Sequence, residues 1–143
     1  MLETIWTSRR EKKKKRLERV GGFSRGKVVP AEKITEFLQR VIVPGDTVIL
    51  EGDNQKQASF LSKAMENCDP EQVHHLHMVI PSVSRPEHLN LFGKGIASLL
   101  DFAYAGSQSM RVAQMLQDGI LKIGAIHTYL ELYARLFVDL IPD

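Results

Sequence analysis

A chain of 143 residues suits one domain, and 43% hydrophobic with 25% charged residues leaves enough apolar material for a core. No apolar run reaches the ~18 residues that a spanning helix needs, and Met1-Leu2-Glu3-Thr4-Ile5-Trp6 lacks a basic end followed by a long apolar stretch, so neither a transmembrane helix nor a secretory signal is expected. Residues 1–19 hold eight Lys or Arg against three Glu, a net of +5, so the whole-chain charge of +2 leaves −3 for the remainder.

The basic cluster Arg9, Arg10, Lys12, Lys13, Lys14, Lys15 and Arg16 reads as part of a solvated, partly helical, flexible tail over residues 1–25. No aromatic residues interleave it to stack bases, which argues against nucleic-acid binding. Gly21, Gly22 and Gly26 form a joint. Pro30 opens a helix in which Ile34, Phe37, Leu38 and Val41 follow the spacing of one buried face. Pro44-Gly45-Asp46 ends it.

Thr47–Glu51 is β-branched and apolar and reads as a buried strand. A helix from about Gln57 to Asn67 should bury Phe60, Leu61, Ala64 and Met65. Val73–Ile80 reads as a second strand, Pro81–Pro86 as a loop, and His88–Lys94 as a short helix. Leu99–Tyr104 is a third strand, followed by a helix carrying Val112, Met115 and Leu116 and capped by Gly119. Ile120–Ile126 is a fourth strand. Thr128-Tyr129-Leu130-Glu131 fits a capping box that opens a last helix with Leu130, Tyr133, Ala134 and Phe137. Strands alternate with helices, so the fold class is α/β: an open, mostly parallel sheet flanked by helices. Phe137–Ile141 reads as the approach to another strand, which makes the sheet incomplete at the carboxyl end.

Ligands bind open parallel sheets at the carboxyl ends of the strands, so the chemistry is sought in the loops there. Gly52 permits close backbone approach, while Asn54, Gln55 and Gln57 supply side-chain amides before a helix start. Asp53 adds a negative charge that argues against a plain phosphate cradle, and the alternative is an ordinary polar turn. Gly106, Ser107 and Gln108 repeat the pattern. Ser107 or Ser109 reads first as a helix cap and second as a donor to a carbonyl oxygen; neither sits in a nucleophile-elbow motif. His127 stands at a strand end, either contacting a substrate or filling a structural role. Among His74, His75 and His77, the last two would share one strand face, but spacing places no third ligand, so no metal site is assigned. The lone Cys68 fits a reducing cytoplasm.

Four longer strings carry a resemblance: LEGDNQKQASFLSKA (50–64), VHHLHMVIPSVSRPEHLNLFGKGIA (73–97), LDFAYAGSQSMRVAQML (100–116) and IGAIHTYLELYARLFVDL (123–140). From about Gly26 onward the chain resembles the malonate decarboxylase α subunit, within the CoA-transferase-like group that includes the citrate lyase α subunit. The resemblance implies that residues 26–143 are the amino-terminal part of a CoA-transferase-like α/β domain. It implies an acyl-carrier-protein transferase that exchanges the acetyl group of a carrier thioester for malonate, releases acetate and feeds malonyl carrier to decarboxylation. It also implies a cytoplasmic complex with the acyl-carrier protein and decarboxylase subunits as partners, and no nucleic acid or membrane. No cofactor is bound directly; the phosphopantetheine-type, dephospho-CoA-derived group belongs to the carrier. Gly52, Asn54, Gln55, Gln57, Gly106, Ser107, Gln108 and His127 become expected thioester, CoA-moiety or oxyanion contacts. The glutamate nucleophile of CoA transferases has no match here, since Glu51 and Glu131 do not fit its motif. The catalytic group is therefore expected beyond Asp143, with this stretch inactive alone. The alternatives are a non-catalytic subunit-docking module, or a citrate lyase-like or CoA transferase with another carboxylic acid.

Overall fold

A computed structural model describes residues 2–52, 58–128 and 130–131, without the side chains of residues 2–6 and 9. Helix α1 (Leu2–Val20) opens the chain. Its Lys, Arg and Glu residues favour helix by propensity. Its carboxyl end is fastened: both terminal nitrogens of Arg16 donate to the Asp46 carboxylate, at 2.8 and 2.9 Å. Val20 is buried, and the Phe23 ring meets Phe37 edge-on with centroids 6.3 Å apart. The basic segment thus forms one helix that reaches the body of the fold.

A 3₁₀ turn at Ala31–Lys33 precedes α2 (Ile34–Val41), with Pro30 at its N-cap. The expected apolar face is only half-buried, although Leu38 packs against the core. Asp46 closes the turn after α2, accepting from the Val43 N–H at 2.9 Å. The remaining elements alternate: β1 (Thr47–Ile49), α3 (Ser59–Glu66), β2 (Leu76–Val79), α4 (Pro86–Gly93), β3 (Ala97–Phe102), α5 (Ser109–Gln117) and β4 (Lys122–Ile126). Among the described residues these four strands form one sheet with parallel pairings, in the order β1-β2-β3-β4. The α/β class and the parallel sheet agree with the expectation.

Sequential order has a consequence for packing. Right-handed crossovers that advance steadily in one direction lay their helices on one face of the sheet. The core lies there. Leu50, Met78, Ile80, Leu100 and Phe102 from the sheet region meet Met65, Leu89, Phe92, Val112 and Met115 from α3, α4 and α5. Strand alternation therefore turns His77, Val79, Leu99 and Asp101 to the opposite face.

Three expectations need correction. Thr47–Glu51 is not a buried strand: among the described residues β1 is an edge strand that pairs with β2 alone, and its Ile49 is 53% exposed. On α3 the buried face is Ser62, Ala64 and Met65, while Phe60 and Leu61 are exposed. Ser62 is tolerated inside because its hydroxyl donates to the Ala58 carbonyl at 2.7 Å. His75 shares no strand face with His77, since it precedes β2 with φ +56° and its ring packs edge-on against His74.

Two local end signals agree with expectation. Gly119 closes α5 with φ +70°, and the Thr128–Glu131 capping box is reciprocal. Glu131 N–H donates to Thr128 Oγ1 at 3.2 Å, and Thr128 N–H donates to Glu131 Oε2 at 2.8 Å. These hydrogen bonds hold the Glu131 carboxyl below its ordinary pKa. Residues 132–143, including Tyr133, Ala134, Phe137 and the Phe137–Ile141 stretch, lie outside the described residues.

Candidate functional site

The carboxyl ends of β1, β2 and β3 converge on a small polar cleft. Ile49 and Val79 pair in register, and the β2–β3 pairing continues through a parallel bridge between Ser82 and Tyr104. That continuation uses main-chain groups: Val83 N–H donates to the Tyr104 carbonyl at 2.8 Å, and Ala103 N–H to the Pro81 carbonyl at 3.0 Å. Beyond it Ser82, Ser84, Tyr104, Gly106 and Ser107 line a cavity of about 200 Å³. Its side-chain groups are neutral hydroxyls, which suit a carbonyl oxygen that becomes an oxyanion.

Gly52 stands beside this cleft for a steric reason. A Cβ there would lie 2.1 Å from the Ser82 carbonyl oxygen and 2.7 Å from Ile80 Cγ2. Only glycine allows the loops after β1 and β2 to approach so closely. The Ser84 hydroxyl then donates to the Gly52 carbonyl at 3.0 Å, tying the two loops together.

The second loop departs from its first reading. The 3₁₀ turn Gly106–Gln108 has Ala105 at its N-cap, and α5 has Gln108 at its own; neither start has a side-chain capping bond. Ser107 and Ser109 therefore do not cap these helices, and Ser107 borders the cleft instead. Gln108 is half-buried and does not line the cavity. Asn54, Gln55 and Gln57 lie outside the described residues.

His127 is also absent from the cavity lining. Its N–H donates to the Phe102 carbonyl at 2.8 Å, extending the β3–β4 pairing. Its Nε2 lies 3.6 Å from Asp101 Oδ2, while His77 Nε2 lies 3.1 Å from Asp101 Oδ1. The His77 contact is at ion-pair distance without hydrogen-bond alignment. Asp101 is 1% exposed, so a carboxylate sits almost wholly inside the sheet face between two imidazoles. Among the described residues, no three His, Cys, Asp or Glu side chains gather in a group able to hold a metal ion.

Sequence reasoning passed over Ser82, Ser84, Tyr104, His77 and Asp101 as site residues. The hydroxyls were hidden because loop and strand readings give no direction to side chains. Asp101 left a usable signal: a carboxylate inside the apolar run Leu99-Leu100-Asp101-Phe102 is costly to bury without a partner. Gly124 within β4 was a second signal, since a strand glycine marks a bulge or close approach.

Comparison with known proteins places the chain in a family. The family model described as malonate decarboxylase, alpha subunit, transporter matches residues 5–143, so the match takes in most of α1 as well as the stretch after Gly26. The acetyl-S-ACP:malonate ACP transferase of Malonomonas rubra is 52% identical over 120 residues, covering 84% of this chain and 22% of that protein. A crystal structure of a malonate decarboxylase alpha subunit from Acinetobacter baumannii superimposes with TM-score 0.91 at 55% identity, over 96% of this chain and 25% of that one. A Pseudomonas malonate decarboxylase hetero-tetramer in complex with malonate gives TM-score 0.91 at 58% identity, with the same coverage. The chain thus spans 22–25% of the length of these relatives. With the family model matching nearly its whole length and the fold shared throughout, the chain belongs to the malonate decarboxylase alpha subunit family.

Proposed function

We propose that this chain forms the amino-terminal part of a CoA-transferase-like domain, within a subunit that exchanges the acetyl group of an acyl-carrier-protein thioester for malonate. The exchange balances as acetyl-S-carrier plus malonate giving malonyl-S-carrier plus acetate. The observation that carries the reading is the hydroxyl-lined cleft at the strand ends, in a chain 52% identical to an acetyl-S-ACP:malonate ACP transferase. Acyl exchange needs a carboxylate and a thioester held together, and neutral donors for the oxyanion formed on the carbonyl. Ser82, Tyr104 and Ser107 are suited to donate, the Ser84 hydroxyl donates to the Gly52 carbonyl, and Gly52 and Gly106 let the loops that border the cleft pack closely.

Asn54, Gln55, Gln57, Gln108 and His127 complete the proposed contacts around the thioester and its pantetheine arm. The prosthetic group is then of the phosphopantetheine, dephospho-CoA-derived type and belongs to the carrier. The acyl nucleophile lies beyond Asp143 in this reading: Glu131 is engaged with Thr128, and neither Glu51 nor Glu131 fits the transferase glutamate motif. The proposed partners are the carrier and the decarboxylase subunits, and the proposed compartment is the cytoplasm. A reducing compartment suits Cys68, which is buried, has no disulfide partner and has its thiol pushed up to about 11 by burial.

Kinetics of the full-length subunit assembled with its partners test the reading. Ser107→Ala and Asn54→Ala are each expected to lower carrier exchange about 100-fold or more, the scale of a lost oxyanion donor, with an unchanged melting temperature. Wild-type kinetics in both variants would reduce the cleft to a structural turn.

A further inference from the structure

We propose that Ser82 is the buried oxyanion donor of the cleft: its hydroxyl donates to the carbonyl oxygen of the carrier thioester while the acyl group is exchanged. The inference rests on the acyl-exchange reading and names the group within the cleft that acts in the transition state. Three observations carry it. First, Ser82 continues a row of core positions. Steps of two lead from Met78 and Ile80 to Ser82, and from Leu100 and Phe102 to Tyr104. The parallel bridge between Ser82 and Tyr104 sets the two row ends side by side. Met78 and Ile80 are fully buried and Ser82 is 3% exposed, yet Ser82 carries a hydroxyl and lines the cleft.

Second, that hydroxyl has no hydrogen-bond partner among the described residues. Other shielded serines donate to main-chain carbonyls: Ser62 to Ala58 at 2.7 Å, and Ser84 to Gly52 at 3.0 Å. Burying a hydroxyl without a partner is costly, so one left open at the floor of a cleft suits an acceptor on a ligand. Tyr104 is 59% exposed and Ser107 is exposed as well, so those two form the rim. A hydrogen bond to developing charge is stronger at the shielded position than at the rim.

Third, the main chain around Ser82 is fixed. Its carbonyl accepts from the Ser84 N–H at 3.0 Å, and Val83 N–H donates to the Tyr104 carbonyl at 2.8 Å. The Pro81 carbonyl accepts from the Ala103 and Tyr104 N–H groups at 3.0 and 3.2 Å. A donor on such a frame needs no reorganisation when charge develops. In the exchange a carboxylate oxygen adds to the thioester carbonyl, and the π pair moves onto the carbonyl oxygen. Collapse returns the pair and expels the carrier thiolate. Ser82 donates a hydrogen bond to that oxygen throughout and keeps its own proton.

Ser82→Ala in the full-length subunit assembled with its partners tests the assignment, by carrier-exchange kinetics and thermal melting. The kcat should fall about 100-fold or more with the malonate KM within about twofold of wild type, the pattern of a contact made only in the transition state. The melting temperature should stay level or rise, because the methyl group replaces a buried hydroxyl without a partner. A raised malonate KM with unchanged kcat would make Ser82 a ground-state contact, and a lowered melting temperature or failure to fold would make its hydroxyl structural. Either result overturns the assignment. Wild-type kinetics in Ser82→Ala beside an impaired Ser107→Ala overturns it and leaves the acyl-exchange reading standing. Wild-type kinetics in Ser82→Ala, Ser107→Ala and Asn54→Ala together removes the cleft itself.

Discussion

Gly52 and Gly119 show that one residue type answers two different physical demands. At Gly119 the space around the α-carbon is open and the φ of +70° is what excludes a side chain. At Gly52 the exclusion is steric, since a methyl group would meet the Ser82 carbonyl at 2.1 Å. The expected outcomes differ accordingly. Gly119→Ala should cost about 1 kcal/mol, the scale of a left-handed residue, and leave carrier exchange intact. Gly52→Ala should cost about 1–3 kcal/mol by overpacking and also depress exchange, because the loops after β1 and β2 must separate. Thermal unfolding beside the exchange assay checks both; equal effects on exchange would remove Gly52 from the cleft. Gly119 was legible from its place after an apolar period. Gly52 was legible as a loop glycine, but the atom that requires it belongs to Ser82, thirty positions away in sequence.

Among the elements, α1 departs most from what its composition suggests. A helix rich in Lys and Arg with no apolar stripe gains little from burial. Near its carboxyl end it is joined to the fold by the Arg16–Asp46 pair and the burial of Val20. Asp46 also holds the Val43 N–H, so one carboxylate serves the turn after α2 and the anchor of α1. Arg16 side-chain exposure is 37%, so solvent screens the pair, and Arg16→Ala should cost only about 0.5–1 kcal/mol. Trypsin should nevertheless cut within residues 10–19 faster in that variant while the sheet stays protected. Unchanged cleavage would place the anchor in Val20 and Phe23 alone. Residue types were enough to suggest a helix in this segment. The contact with Asp46 was not legible, because an ion pair spanning thirty positions leaves no periodic trace.

At the scale of the whole molecule, the packed side of the sheet holds a histidine that its surroundings do not charge. His88 on α4 is fully buried, neither ring nitrogen has a hydrogen-bond partner, and burial lowers its pKa. The unfolded chain therefore takes up this proton at higher pH than the folded one. Stability from His88 is present above the ordinary imidazole value near 6.5 and declines as pH falls through the lowered folded value. His88→Leu should flatten the acid side of the curve, by up to about 1.4 kcal/mol per pH unit for one proton, when melting of both proteins is compared from pH 8 to 5. Parallel curves would show that His88 takes no part in acid sensitivity. The alternation of strands and helices, the parallel class, the Gly119 cap and the Thr128–Glu131 box follow from local order, since each is written in neighbours a few residues apart. Long-range packing sets the rest: β1 is an edge among the described strands, Phe60 faces outward, Ser107 borders a cleft instead of capping a helix, and Asp101 lies between His77 and His127. Those outcomes depend on which strands become neighbours and where bulges shift their register, and both are set by packing between segments that sequence order keeps apart.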